Sequence, residues 1–241
     1  MSPLVAQTRA EIRMTLKRGE SLLLTLGIPV MLLVFFSLVD VLPTSTDDPV
    51  DFLAPGILAL AVMSTAMVSL AISTGFERQY GVLKRLGTTP LGRTNLLLAK
   101  TVSIVAIELV QVIVLTAVGF ALGWRPPLGG LGLAVIAVGL GTAAFSGIGM
   151  TMAGRWTAEK TLAGANGLYL LLLLISGMVI PLGKLPTVVR RVAQVLPSSA
   201  LSDIFHGALT HGVPVPGRAW IVLIIWAILM PAIATRLFRW E

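Results

Sequence analysis

The sequence lacks cysteine and contains little charge. Of its 241 residues, 12% are charged and 56% are hydrophobic, and the mean hydropathy is +0.92. Without cysteine the chain forms no disulfide, holds no thiolate-bound metal and has no thiol nucleophile. Soluble domains carry about a quarter charged residues, so this composition predicts a protein of the lipid bilayer.

A phosphate-binding loop and a catalytic base are also missing. No Gly-x-x-x-x-Gly-Lys-Ser/Thr motif occurs, so we expect the chain to bind no ATP of its own. Ser146 lies in a stretch that partly resembles the nucleophile region of an intramembrane serine protease. The histidines, His206 and His211, both fall in one predicted loop, so no span supplies an imidazole to activate it. We therefore predict neither an enzyme nor a metal site.

Positive charge has a simple explanation in a membrane protein. The net charge is +7, which in a soluble protein would suggest nucleic acid. In membrane proteins, basic residues gather at the cytoplasmic face, where they fix orientation and meet anionic lipids. We therefore expect membrane lipids as partners, and no nucleic acid.

Six apolar runs are long enough to cross a bilayer. At a rise of about 1.5 Å per residue, roughly 20 residues cover the roughly 30 Å hydrocarbon layer. The sequence thus predicts an all-α polytopic membrane protein in which residues 1–241 form a single transmembrane domain. The predicted spans are Ser21 to Val39, Phe52 to Gly75, Leu96 to Leu122, Leu131 to Met152, Ala163 to Leu182 and Trp220 to Thr235.

Basic residues alternate between the loops, which predicts the orientation. The first loop holds four aspartates and no lysine or arginine. Because cytoplasmic loops are enriched in lysine and arginine, both termini are expected in the cytoplasm, with the protein in the cell membrane. The residues that carry this pattern are Arg9, Arg13, Lys17 and Arg18 before the first span, Arg78, Lys84, Arg85 and Arg93 after the second, Arg155 and Lys160 after the fourth, and Arg236 and Arg239 after the sixth.

Two segments outside the spans are also apolar in part. Residues 1–20 place Val5, Ile12 and Leu16 in one sector of a helical wheel, which predicts an interfacial helix. Residues 183–217 precede the last span and mix apolar residues with basic ones on the predicted outer face. We expect them to form short re-entrant helices whose arginines extend toward lipid headgroups.

A charged segment, residues 76–95, separates the second and third spans. Val82, Leu83 and Leu86 form an apolar edge at helical spacing, and Gly87 and Pro90 end the helix. The charged side chains, predicted to keep this helix in water, are Glu77, Arg78, Lys84 and Arg85. From the residues alone, an ordinary solvated loop helix is favoured over a partner-binding helix.

This segment closely resembles the cytoplasmic coupling segment of type-2 ABC exporter permeases, the family that includes the daunorubicin-resistance permeases. The residues that carry the resemblance are Glu77, Arg78, Gly81, Leu83, Leu86 and Pro90. A second stretch resembles the outer re-entrant segment of the family through Ser176-Gly177, Pro181, Leu185-Pro186, Arg190, Leu196-Pro197, Asp203 and Gly207.

The resemblance implies the permease subunit of an ATP-driven exporter. The coupling segment would dock into a cleft of an ATP-binding cassette subunit, which would hold ATP and Mg²⁺. A second permease subunit, identical or different, would complete the path. A hydrophobic or amphipathic substrate would leave the cell by alternating access, and a drug, lipid, glycan or peptide would each fit.

Two polar residues lie deep in the third predicted span. Glu108 and Gln111 share one helical face. A charged side chain at mid-membrane costs about 3 kcal/mol, so Glu108 should face protein or water, or be protonated. It either lines a substrate or cation path or donates a hydrogen bond to a neighbouring helix. An ion-coupled secondary transporter using Glu108 is the alternative function, and an assembly or anchoring protein is a third.

Small residues repeat every fourth position along the fourth predicted span. Gly139, Ala143, Gly147 and Thr151 form a smooth stripe that permits close helix approach. We predict that the stripe serves packing. Asn166 and Tyr169 in the fifth span are expected to make hydrogen bonds between helices.

Overall fold

The computed structural model describes the backbone of residues 5, 7–9, 11–12, 19–39, 48–87 and 92–237. Every regular element in these ranges is helical, which confirms the all-α prediction. The α-helices are α1 (Gly19–Leu38), α2 (Pro49–Met63), α3 (Leu70–Gln79), α4 (Val82–Gly87), α5 (Arg93–Ala121), α6 (Leu131–Ala153), α7 (Ala158–Ile175), α8 (Thr187–Ala193), α9 (Pro197–Leu209) and α10 (Gly217–Leu237).

Five helices are long and apolar enough to cross a membrane, and a shorter apolar segment, Thr25–Leu38, lies within α1. These six elements match the six predicted spans in order, so the chain is a multi-pass membrane protein. The five long helices are Pro49–Gln79, Thr94–Ala121, Leu128–Ala153, Ala158–Ile175 and Gly217–Leu237.

The second span is the centre of the bundle. A π-helix, Ser64–Ser69, joins α2 to α3, so the chain is helical without a break from Pro49 to Gln79. Almost every residue of α2 is buried by the helices around it. The prediction that this span ends at Gly75 is wrong, because the helix continues through Gly75 to Gln79 and the backbone turns only at Gly81, where φ is +72°.

The fifth span begins and ends earlier than predicted. Thr157 caps α7, and its side chain accepts a hydrogen bond from the backbone N–H of Lys160 at 3.4 Å. The helix ends at Ile175, just before Gly177, which has a φ of +82°. The predicted range Ala163 to Leu182 is therefore wrong at both ends. Its C-terminal end was placed too late because the apolar residues after Gly177 were assigned to the helix.

Short helices precede the last span, as predicted. α8 exposes Val188 and Val192, whereas α9 is buried among α2, α6 and α10. One basic residue near the predicted outer face is neutralised, since Arg218 Nη2 lies 3.0 Å from Asp203 Oδ2.

Hydrogen bonds fix α9 against the first turn of α2. His206 Nε2 lies 3.0 Å from Phe52 O, and the Thr210 hydroxyl donates to Asp51 O at 3.2 Å. Burial lowers the pKa of His206, which favours its neutral ring. Both contacts serve packing of α9 on the central helix.

Helix α6 approaches α10 closely at one glycine of the predicted stripe. A Cβ built on Gly147 would lie 2.5 Å from Met230 C and 2.5 Å from Pro231 N, so α10 contacts α6 backbone to backbone there. A Cβ on Gly139 would meet no atom within 4 Å. The predicted packing stripe is therefore real at Gly147 and absent at Gly139, whose side of α6 is exposed.

The N-terminal segment is helical at each described position, residues 5, 7–9, 11 and 12. Val5 is exposed and Ile12 is half-buried, while Leu16 lies outside the described residues. Glu11 is buried, which the predicted interfacial helix did not anticipate. Its partner is in the site described below.

Candidate functional site

A sharp turn separates the end of the second span from α4. Tyr80 ends α3, and Gly81 follows with a φ of +72°. L-residues other than glycine pay about 1 to 2 kcal/mol in this left-handed region. Gly81 therefore sets the angle at which α4 leaves the span. In residues 76–87, the predicted coupling segment consists of the last turn of a spanning helix, this turn and the short helix α4, rather than one separate surface helix.

The helix α4 has an inner side and an outer side. Leu83 is 0% exposed and belongs to the hydrophobic core of the chain, and Leu86 packs against that core. Tyr80, 72% exposed, and Val82 face outward. Leu83 therefore seats α4 on the bundle, and its direct contact with a partner stays a prediction. Pro90 lies outside the described residues.

A buried lysine anchors the segment from the side of α5. Lys100 Nζ lies 2.6 Å from Glu77 Oε2 and 3.0 Å from Glu11 Oε1. The Lys100 side chain is 1% exposed, and the Glu77 side chain is 13% exposed. The expectation that Glu77 keeps the segment in water is therefore wrong, because its carboxylate points into the bundle. Removing one partner of a buried ion pair is strongly destabilising, because the other charge stays buried without compensation.

Sequence reasoning missed Lys100 altogether. It stands a few residues inside an apolar run that was scored by its average hydropathy. A lysine in that position marks a buried partner or a path for charge. Glu77, at the facing end of the preceding span, was the nearest candidate, so the pair could have been found from the sequence.

Arg78 connects the segment to the end of α6. Its Nη1 donates to Ala153 O at 3.0 Å and its Nη2 donates to Trp156 O at 2.9 Å. The last carbonyls of a helix have no partner within the helix, and a cation there also interacts favourably with the helix dipole. The guanidinium therefore caps α6 rather than facing water, contrary to expectation.

The neighbouring Gln79 reaches α7. Its Nε2 donates to Glu159 Oε1 at 2.9 Å, and both side chains are exposed. Three consecutive residues, Glu77, Arg78 and Gln79, thus contact α5, the end of α6 and the start of α7. We call these contacts the joint. The joint ties the end of the second span to three other spanning helices.

Glu108 and Gln111, the two predicted mid-membrane residues, lie away from the joint and contact different helices. Gln111 is buried, accepts a hydrogen bond from Thr65 Oγ1 at 2.8 Å and donates to Thr25 O at 3.0 Å. Thr65 lies in the π-helix and Thr25 in α1. Gln111 therefore ties three helices together, and this use favours packing over a substrate path.

Glu108 is buried and contacts α6 through Thr142. The Thr142 hydroxyl lies within hydrogen-bond distance of both Glu108 Oε2 and Val138 O. One hydroxyl hydrogen cannot serve both acceptors, and a helical threonine commonly donates to the carbonyl four residues earlier. Glu108 then supplies the second hydrogen, so this geometry favours its neutral, protonated form. Its Oε1 has no partner among the described residues.

Comparison with known protein families matches residues 4–209 to the ABC-2 type transporter family. The match covers most of the chain, including the joint, α4 and both mid-membrane residues. The chain belongs to the ABC-2 type transporter family. It is therefore a permease subunit of an ABC transporter, a transport subunit of a family that works with ATP-binding subunits. Comparison with curated proteins gave no match to this permease.

Proposed function

We propose that this permease exports a hydrophobic or amphipathic substrate by alternating access, powered by a separate cassette subunit that binds ATP and Mg²⁺. Closure of that subunit would move α4, and the joint would pass the motion to the spans. Two permease subunits would line the path, and α4 and both termini would lie in the cytoplasm. The observation that carries the proposal is the joint itself, three consecutive residues contacting three different spanning helices.

The outer side of α4 is the proposed docking surface. Tyr80 and Val82 are exposed beside the basic residues Lys84 and Arg85, an apolar patch with flanking charge. A short helix of this kind fits a groove in a partner, with charge selecting the register. Leu83 and Leu86 would act by holding that surface in place.

A test of this proposal separates the joint from its surroundings. Arg78→Gln removes the guanidinium bonds to Ala153 O and Trp156 O and should leave complex assembly intact, because Arg78 is not part of the proposed docking surface. Basal ATPase activity should persist while its stimulation by substrate and the transport rate fall, by roughly tenfold for a loss of about 1.4 kcal/mol of coupling. Measurements are made on the permease reconstituted with its cassette subunit.

The matched control is Arg155→Gln. Arg155 is an exposed arginine in the loop between α6 and α7, next to Trp156, and it is not part of the joint. It should transport normally. Equal transport by Arg78→Gln and Arg155→Gln would contradict the proposed role of the joint. A complex that binds the cassette subunit but never shows substrate-stimulated ATPase activity would instead support an assembly or anchoring protein.

A further inference from the structure

An apolar cavity of about 560 Å³ lies at the end of the bundle opposite α4. Its walls come from the last turns of α5, the first turns of α6 and the helix α9. The side chains that matter below are Val112, Phe120, Trp124, Ala134, Val135 and Phe205. We call this cavity the outer groove.

The outer groove has a buried floor and an open side. Trp124, Ala134 and Phe205 are buried at its floor, whereas Phe120 and Val135 are exposed at its edge. A lining that is mostly apolar offers water few hydrogen bonds, which favours an apolar occupant. Because the groove lies between spanning helices, we expect its open side to face the hydrocarbon of the bilayer. Lipid acyl chains are the apolar groups available there.

One basic side chain stands at the rim of the outer groove. Arg125 is exposed and lines the groove, with its guanidinium carbon 5.9 Å from the centre of the Phe120 ring. His211 Nε2 lies 3.0 Å from Arg125 O and holds the backbone there. Within the described part of the chain, no carboxylate lies within ion-pair distance of this guanidinium. Its Nη1 lies 3.5 Å from Trp124 O, and a guanidinium has further N–H donors that can bind a phosphate.

The inner end of the outer groove lies near the Glu108–Thr142 hydrogen bond. Val112 and Val138 line it, and each is one helical turn from a member of the Glu108–Thr142 pair. That hydrogen bond joins α5 to α6. A second cavity of about 360 Å³, lined by Ser146 and Pro231, lies beyond the bond toward α4. The two cavities share no lining residue, so they do not form one continuous path, which suits a chain inserted from the leaflet better than cargo passing through.

We propose that the outer groove binds one acyl chain of an anionic phospholipid from the surrounding leaflet, with the phosphate of that lipid at Arg125. The lipid is a resident ligand of the permease and not its cargo. The inference rests on insertion of the chain in a bilayer and not on the proposed coupling to ATP.

Trp124 gives a direct signal, because it is buried in the floor of the outer groove. Bromine atoms on an acyl chain quench indole fluorescence on contact. The full chain in phosphatidylcholine nanodiscs is titrated with phosphatidylglycerol carrying a brominated chain, and the same titration on Trp124→Phe isolates the Trp124 signal. Saturable quenching of Trp124 is the expected result. Quenching that rises linearly without saturation would overturn the proposal.

Two variants test the two parts of the site. Arg125→Gln should weaken the apparent affinity for brominated phosphatidylglycerol roughly three- to tenfold, as loss of one solvent-exposed hydrogen bond predicts. Arg190→Gln, at a basic residue of α8 outside the outer groove, should have no effect. Brominated phosphatidylcholine carries the same phosphate, but its choline cation offsets the negative charge, so it should bind wild type more weakly than brominated phosphatidylglycerol does. Equal affinities for both lipids would overturn the headgroup assignment.

Filling the outer groove tests the acyl chain. Ala134→Phe should abolish saturable quenching, and Val135→Phe, at the exposed edge, should reduce it without entering the core. Unchanged quenching in both, with a native thermal midpoint, would overturn the groove as the site. Loss of the bromolipid during ATP turnover with the cassette subunit would show cargo and contradict a resident lipid. Arg78→Gln should leave quenching unchanged, so failure of the coupling proposal is read separately.

Discussion

Several polar contacts between helices of this bundle depend on single side chains, and the contact of Glu108 can be tested directly. As a neutral acid it donates to Thr142, and a glutamine amide can donate in the same place. Glu108→Gln should therefore retain transport close to wild type, measured in proteoliposomes with the cassette subunit. Complete loss of transport in Glu108→Gln, with the protein folded, would favour the ion-coupled alternative.

Thr142→Val provides the complementary measurement. Removing the hydroxyl leaves the hydrogen of Glu108 buried without an acceptor, at about 1 to 3 kcal/mol. In a Glu108→Leu background the same change should cost much less, since no donor remains to be satisfied. Additive effects in this double-mutant cycle would show that the two residues are not coupled.

Lys100 is predicted to matter for stability more than any exposed lysine. Lys100→Met leaves the carboxylates of Glu77 and Glu11 buried without their cation, which should cost about 3 kcal/mol. The midpoint of thermal unfolding in detergent should fall accordingly. Lys160→Met, at an exposed lysine at the start of α7, is the matched control. A midpoint for Lys100→Met equal to that control would refute the anchoring role. Adding Glu77→Gln and Glu11→Gln to Lys100→Met should recover stability.

Residue-level reasoning from the sequence succeeded where a polar group is conspicuous and failed where its partner is distant. Glu108 and Gln111 stand out in an apolar run, but nothing in the sequence of that run identifies Thr142, Thr65 or Thr25 as their hydrogen-bond partners. Glu77 and Arg78 were assigned to water because charge usually faces it. Their burial follows from contacts between helices far apart in sequence, which hydropathy does not encode.

Among the helices, the approach of α10 to α6 offers the sharpest prediction. Gly147→Ala places a methyl group against the backbone of Met230 and Pro231, so one helix must shift, at about 1 to 3 kcal/mol. Gly139→Ala, two turns earlier on α6, meets open space and should be neutral or slightly stabilising. Thermal unfolding of the two variants makes the comparison. Equal midpoints would contradict close packing at Gly147.

Helix existence was predictable from the sequence, and helix ends were less so. All six predicted spans have counterparts, because an apolar run of span length has few other structures. The C-terminal end of the second span was predicted too early, and that of the fifth span too late. A helix continued through Glu77 because charge alone does not end a helix, and another stopped at Ile175 although apolar residues continued past Gly177. Backbone conformation at single glycines decided the second case.

For the molecule as a whole, the absence of cysteine makes orientation easy to measure. Gly129 and Arg155 are exposed at opposite ends of α6. A membrane-impermeant maleimide on intact cells should label Gly129→Cys, and should label Arg155→Cys only after permeabilisation. The reverse pattern would place α4 outside the cell and contradict coupling to a cytoplasmic ATPase.

The bundle extends beyond the part matched to the family. Residues 4–209 carry the match, whereas α10 begins at Gly217. The contact at Gly147 makes α10 a packed member of the same domain rather than an appended helix. Its other side exposes Ile221, Ile225 and Ile228, an apolar face for lipid or for the proposed second permease subunit.

Arg78 bonds to main-chain oxygens at positions 153 and 156, not to the side chains there. Every amino acid supplies the same carbonyl, so evolution can replace Ala153 or Trp156 without loosening this contact. Across related sequences, position 78 should stay arginine while these two positions drift independently of it. Covariation methods, which detect correlated substitutions, would then overlook a contact that binds two spans together.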